Sequence, residues 1–371
     1  MDFKRHQSIE QEKTPGRVLV IYGPRRIGKT TLVKKYAEAH TQTKVKYDVG
    51  DDIRLQELFN SQVRKDILDY ARPYKVIIID EAQNISKIGL ATKMIIDEFP
   101  DKEIILTGSS SFDLSQNIGE PLTGRHFVMR LLPISLSEIA GSNYEKNQLI
   151  NDLLMYGQYP EVLLHNTPDE KKRILNELVS SYLFKDVLAL DTIKYSELLL
   201  NISRMLAMQI GQEVSYNEIA NKVGADVKTV KRYIDIMEKT FIIRKVSAYA
   251  KNPRTEITSK SKYYFYDLGV RNALLGQYNA LANRNDVGFM WENFIFMELY
   301  KQDIQKSMYG EFYFWRTKSG IEIDIVYAQN GNLTAYECKW GKEKVVFTAF
   351  LQNYPNAKTY IVSKTNLSDL L

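Results

Sequence analysis

Residues 23–31 read GPRRIGKTT, so that Gly23 and Gly28 bracket a turn and Lys29 and Thr30 follow it at once. Glycines at those two points let backbone N–H groups curl around an oxyanion that a side chain would otherwise hold off. Lys29 is placed to reach the outer phosphates of a nucleotide, and the Thr30 hydroxyl is a natural ligand for Mg²⁺. The strand-like run RVLVIY precedes the turn and the helical pattern LVKKYAEA follows it. Strand, loop and helix N-terminus in that order add the positive end of the helix dipole to the anion site. We therefore assign Gly23, Pro24, Arg25, Arg26, Ile27, Gly28, Lys29, Thr30 and Thr31 to nucleotide binding, with ATP and Mg²⁺ as the expected cofactors. A glycine turn carrying an incidental lysine would not need this context.

A second apolar run, KVIIIDEAQ, ends in two acids. Asp80 at the strand end is placed to hold the Mg²⁺, and Glu81 to orient and deprotonate an attacking water. The alternative is an acidic pair that caps the following helix. A third run, EIILTGSSS, ends in hydroxyls, and Thr107 or Ser109 is expected near the γ-phosphate, because ligands of such sheets bind at the carboxyl ends of the strands. EPLTGR then supplies Arg125, read as a neutraliser of developing charge, against the plainer reading of an ion pair.

Near the C-terminus FYFWRTKSGIEIDIVYAQNGNLTAYECKW reads as three antiparallel strands, with a hairpin turn at AQNGN. Side chains two apart share a strand face, which pairs Glu322 with Asp324 and Glu337 with Lys339. In such a meander Asp324 and Glu337 can meet and form an oxygen site for Mg²⁺ or Mn²⁺, with Lys339 stabilising a hydroxide or a phosphate. Glu292, in the otherwise apolar helix pattern GFMWENFIFMELY, is the third acid; a carboxylate there is costly unless it is used. The competing reading is a solvated Glu337–Lys339 pair on an edge strand.

These residues need elements to position them. With 371 residues, 44% apolar and 26% charged, the chain is ordinary globular material of two or three domains. Its single cysteine, Cys338, excludes an intramolecular disulfide and a cysteine-rich zinc site. A formal charge of +5 permits an acidic partner without requiring one. No long apolar run and no signal core are seen, so a cytoplasmic protein with no membrane contact is expected. Apolar residues recur at helical spacing from about 145 to 210. Then SYNEIANKVG, ADVKTVKRYIDIMEKT and FIIRKVSAY resemble a winged helix-turn-helix, with KNPRTEITSKSK as wing or linker. Lys228, Lys231 and Arg232 near the start of its second helix are the candidates for nucleic-acid phosphate contact.

With these motifs in place, residues 17–140 resemble the AAA+ class of P-loop ATPases. More narrowly, GPRRIGKTT, IIIDEAQ, LTGSSS, LTGR and LPISLSEI resemble a bacterial and archaeal family that joins such a domain to domain of unknown function 4143. YGQYPEV and YLFKDVLAL are similar to that family's connecting segment. Glu292, Asp324 and Glu337-x-Lys339 resemble the PD-(D/E)xK, restriction-endonuclease-like core. The resemblances imply an α/β chain in three parts. A P-loop parallel-sheet ATPase domain spans 1–140, a helical connector and winged helix 141–255, and an α/β restriction-endonuclease-like domain 256–371. The leading expectation is an ATP hydrolase that cuts DNA by metal-dependent chemistry. The alternatives are a nucleotide-controlled switch that binds DNA or protein without cutting, and an ATPase that engages only proteins.

Overall fold

The computed structural model describes residues 3–109, 121–183, 196–250, 260–341 and 345–367. Two sheets organise the α/β chain. The first contains β1 (Val18–Tyr22), β2 (Val45–Val49), β3 (Val76–Asp80), β4 (Glu103–Gly108) and β5 (His126–Arg130) in the order β2-β3-β4-β1-β5. Every neighbouring pair is parallel. All five residues of β1 and of β3 are buried, which is why these strands read as unbroken apolar runs rather than alternating ones. Parallel order places the ends of β1, β3 and β4 on one edge of the sheet, where the expected nucleotide residues lie.

Helices Asn143–Tyr156, Pro160–Leu163 and Pro168–Glu177 follow, as the helical spacing predicted; YLFKDVLAL falls largely outside the described residues, as does most of KNPRTEITSKSK. The two-residue strand β6 (Glu213–Val214) leads into helix Tyr216–Val223, and Gly224, at φ 67°, turns the chain into helix Val227–Lys239. The hairpin β7 (Ile243–Ala248) and β8 (Ser261–Phe265) comes next, and β6 pairs antiparallel with β8.

The remaining chain runs helix Val287–Gln305, β9 (Glu311–Arg316), β10 (Glu322–Gln329), β11 (Asn332–Cys338), helix Thr348–Asn353 and β12 (Lys358–Val362). The turn between β10 and β11 uses Asn330 and Gly331, at φ 50° and 78°. Two left-handed residues at the tip match the twist of a tight hairpin, as the Asn-Gly pair predicted. Strand β9 also pairs parallel with β7. The second sheet is therefore continuous, in the order β12-β11-β10-β9-β7-β8-β6. The boundary expected between 255 and 256 falls inside the β7–β8 hairpin, because the hairpin belongs to the same sheet as the C-terminal strands.

Helix Val287–Gln305 covers one face of this sheet. Phe350, from helix Thr348–Asn353, packs on the other face with Trp315, Ile323, Val326 and Ala335. The long helix is also fastened to the end of the first domain. Glu298 accepts from the Leu136 N–H and from Gln158 Nε2, both at 2.8 Å, and Lys301 donates to the Ile134 carbonyl at 3.2 Å. Buried, fully paired polar groups of this kind make a specific joint rather than a sliding one.

Candidate functional site

Gly28, at φ 97°, is the last residue before helix Lys29–Ala39 and takes a backbone conformation that disfavours any side chain. Gly23 is constrained differently: a Cβ there would lie 2.1 Å from the Leu131 carbonyl oxygen. Both glycines of the motif are thus dictated by the loop itself. Lys29 is buried, and its ammonium folds over the loop to donate to the carbonyls of Gly23 and Pro24 at 2.8 Å each. A phosphate in the loop would offer that ammonium a charged acceptor instead.

Thr30 Oγ1 donates to Asp80 Oδ2 at 2.6 Å, and the Tyr47 hydroxyl donates to the same oxygen at 2.9 Å. Thr107, expected near the γ-phosphate, is committed elsewhere. Its hydroxyl donates to Asp80 Oδ1 and accepts from the Glu81 N–H, so it positions the acidic pair. Ser109 is buried just beyond the end of β4. Glu81 has φ 52°, and a Cβ on Gly50 would lie 2.2 Å from its carbonyl oxygen. The backbone at Glu81 is therefore bent sharply out of β3, and its carboxylate accepts from Gln83 Nε2. Thr30 and Asp80 fit an Mg²⁺ ion on the chemistry of their donors: a hydroxyl and a carboxylate on one hard-oxygen site beside a phosphate loop.

Arg125 is not where the sequence reading put it. Its carbonyl accepts from the Val18 N–H, at the start of β1, and its guanidinium pairs with Asp97. The phosphate loop leaves the other end of β1. The length of the strand therefore separates Arg125 from its own chain's loop, because β5 runs parallel to β1. Arg26 reaches outward, to Glu161 at 3.2 Å and Glu177 at 2.8 Å, both on the helices after the first domain.

A cavity of about 470 Å³ opens beside the loop, lined by Phe3, Ser8, Gly28, Thr31, Pro160 and Leu164 among others. That volume suits a small ligand. Arg5 secures the N-terminal segment over it by donating to the Ile27 carbonyl at 2.7 Å and the Leu132 carbonyl at 2.9 Å. The sequence reading missed this wall, since nothing in MDFKRHQ marks a contact with residues more than a hundred positions away.

In the C-terminal part, Asp324 lies near enough for its charge to act on both Glu292 and Glu337. Asp324 owes its direction to a bulge: β10 pairs Ile323 with Trp315 but Val326 with Tyr313, so Asp324 and Ile325 oppose a single residue of β9. The extra residue re-aims the side chains at that point. Asp324 Oδ2 accepts from the Cys338 N–H at 2.8 Å. Lys339 donates to Glu337 at 3.1 Å, and Glu337 itself is buried, which sets aside the solvated edge pair. Burial, reinforced by the Asp324 charge, pushes the Glu337 carboxyl up to about 7 against the pull of Lys339. Burial also lifts Glu292 to about 7, with Lys262 pulling it down and Asp324 adding to the rise.

The cation among these acids is a lysine that the sequence reading did not single out. Lys262 Nζ lies 3.0 Å from Glu292 Oε1 and also contacts Glu322, and Tyr264 donates to Glu292 Oε1 at 2.5 Å. Among the described residues, no group of three or more His, Cys, Asp or Glu side chains is arranged to hold a metal ion. Glu292 and Glu322 are held by Lys262, Glu337 by Lys339, and Asp324 by the Cys338 N–H. A signal was available: a lysine inside SKYYF, all five residues of which are buried, needs a partner as much as Glu292 does.

Lys228, Lys231 and Arg232 are all exposed on helix Val227–Lys239. Thr229, in the same turn, is tied to the Asp226 cap. Among the described residues, no helix is long and apolar enough to cross a membrane.

Comparison with known proteins finds three family models along the chain. Residues 15–140 match a family model described as an AAA domain. Residues 147–280 and 287–369 match two domains of unknown function, DUF8612 and DUF4143. An uncharacterized protein of Haemophilus influenzae is 26% identical over 351 residues, covering 87% of this chain and 84% of the relative. The uncharacterized protein MJ1544 of Methanocaldococcus jannaschii is 24% identical, covering 88% and 76%. Among solved structures, the Aeropyrum pernix ORC1 protein in complex with DNA aligns at 13% identity and TM-score 0.33, covering 72% of this chain and 88% of its own. Domain III of the Thermotoga maritima replication initiation protein DnaA aligns at 16% and 0.29, covering 61% and 88%. Residues 15–140 are thus similar to AAA domains.

Proposed function

We propose that this protein binds and hydrolyses ATP in its first domain and uses the nucleotide cycle to control engagement of DNA by the rest of the chain. The observation that carries the reading is the meeting of Lys29, Thr30 and Asp80 at one end of the parallel sheet, with Glu81 next to Asp80. Backbone N–H groups of the loop and the Lys29 ammonium hold the phosphates. Thr30 and Asp80 would hold Mg²⁺, which when bound neutralises charge on the outer phosphates. Glu81 orients a water and accepts its proton. The N-terminal segment and the Pro160–Leu163 helix close the cavity that we assign to the base, which excludes water on that side.

The pathway from the loop to the rest of the chain is physical. Arg26 leaves the loop for Glu161 and Glu177, and the Glu298–Lys301 network joins the first domain to helix Val287–Gln305. We read the helix pair with strands β6, β7 and β8, at one end of the second sheet, as a winged helix that presents Lys228, Lys231 and Arg232 to phosphates. The test is phosphate release from ATP and Mg²⁺, with and without duplex or branched DNA. Turnover that DNA changes supports the coupling; turnover indifferent to DNA removes it.

A second reading, metal-dependent phosphodiester cleavage, is favoured by one observation. Glu292, Asp324 and Glu337-x-Lys339 converge on a helix–strand–strand–strand–helix–strand unit, and that order and spacing support a restriction-endonuclease-like core. Supercoiled, linear and branched DNA incubated with Mg²⁺ or Mn²⁺ separates the readings. Nicking that Asp324→Ala abolishes establishes cleavage, whereas intact DNA throughout leaves the ATP-controlled switch.

A further inference from the structure

Lys262 lies outside the segment 287–369 that carries Glu292, Asp324 and Glu337, and inside the one matched to a different family model. It is only 1% exposed, on a strand hydrogen-bonded on both sides: opposite Glu213 of β6 and opposite Val246 of β7. Its side chain leaves that strand on the same face as Tyr264, and both end on Glu292 Oε1. The same ammonium contacts Glu322, from the strand that also carries Asp324. On the far side, Gly211 approaches so closely that a Cβ there would lie 3.2 Å from Glu292 Oε2.

Lys262 and Tyr264 occupy Oε1 of Glu292, and Lys262 also contacts Oε1 of Glu322, so a divalent ion shared by these acids would compete with the ammonium for the same carboxylates and place like charge beside it. A buried ammonium and buried carboxylates are each unfavourable alone, and together they satisfy one another. We propose that Lys262 is the resident cation of the C-terminal acid centre, an internal plug that keeps Mg²⁺ or Mn²⁺ out. The proposal rests on the second reading above in one respect: Glu292, Asp324 and Glu337 are taken to be a cation-binding set. Burial works against the Lys262 charge, yet Glu292, Glu322 and Asp324 together hold its ammonium above the ordinary lysine range. The centre is thus a composite of two segments. A fragment beginning at 287 would expose the acids without their cation.

The experiment is thermal melting of the full chain without nucleotide, in EDTA and in MnCl₂, for wild type, Lys262→Met and Lys262→Met with Glu292→Gln. Methionine keeps the length of the side chain and removes the charge. The wild-type midpoint should not move with Mn²⁺. Lys262→Met should melt lower in EDTA and rise by several degrees with Mn²⁺, and adding Glu292→Gln should cancel the rise. A Mn²⁺ response equal in wild type and Lys262→Met, or none in Lys262→Met, overturns the plug. Should Lys262→Met fail to fold, Lys262→Gln is melted in its place, and a Mn²⁺ response equal to that of the wild type, or none, overturns the proposal. DNA nicking measured in parallel keeps the two ideas separate. A Mn²⁺ response in Lys262→Met without nicking upholds the plug and sinks cleavage.

Discussion

Thr30 and Asp80, fifty positions apart, are joined by a 2.6 Å hydrogen bond between the start of a helix and the end of a strand. That bond brings together the two side chains expected to share one magnesium ion, and it makes the nucleotide site testable residue by residue.

Lys29→Ala should abolish ATP binding in calorimetry, because no other buried ammonium among the described residues lies over the loop. Glu81→Gln should keep ATP affinity and lower phosphate release by about 10²–10⁴-fold, the range for removing a general base. Undiminished release would take the base role away from Glu81.

Arg125 sits at the opposite end of β1 from the loop. Arg125→Ala should therefore leave ATP affinity within about twofold, a change of well under 1.4 kcal/mol. Its pair with Asp97 is partly exposed, so folding stability should fall by only about 0–1 kcal/mol. A tenfold loss of ATP affinity would place Arg125 in its own chain's pocket after all.

DNA retention measured against salt concentration tests the exposed helix. Replacing Lys228, Lys231 and Arg232 together by alanine should flatten the logarithmic salt slope by about two to three units, if each meets one phosphate. An unchanged slope moves the contact to another surface.

Glu292 and Glu337 bind their protons more tightly in the folded chain, up to about 7, than in the unfolded one at about 4.3. Between those values the folded state holds the extra protons. These groups therefore favour folding most at low pH, and that contribution is lost as pH rises toward 7. The expected slope is about 1.4 kcal/mol per pH unit for each excess proton. Urea midpoints from pH 5 to 8 should fall less steeply for Glu337→Gln than for wild type. Parallel curves would mean that Glu337 titrates as an ordinary exposed acid.

Much of the molecule was legible in the sequence because its signals are local. Gly23, Gly28, Lys29 and Thr30 sit within one turn. The buried strands before Gly23 and through Asp80 are short apolar runs. Asn330-Gly331 marks its hairpin because that tight turn needs two left-handed residues in succession. Glu292 was conspicuous as a carboxylate in an apolar helix, where burial forces it to find partners.

What the tertiary structure decided was the pairing of distant segments. Strict alternation along β10 could not show the bulge that aims Asp324, since a bulge exists only relative to the partner strand. The side on which Arg125 lies follows from β5 running parallel to β1, a matter of topology rather than of motif. The wall that Arg5 secures, and above all the seat of Lys262 between Glu292 and Glu322, depend on contacts across dozens to more than a hundred residues. A sequence announces that a buried charge must be neutralised. Only the packed fold selects the group that neutralises it.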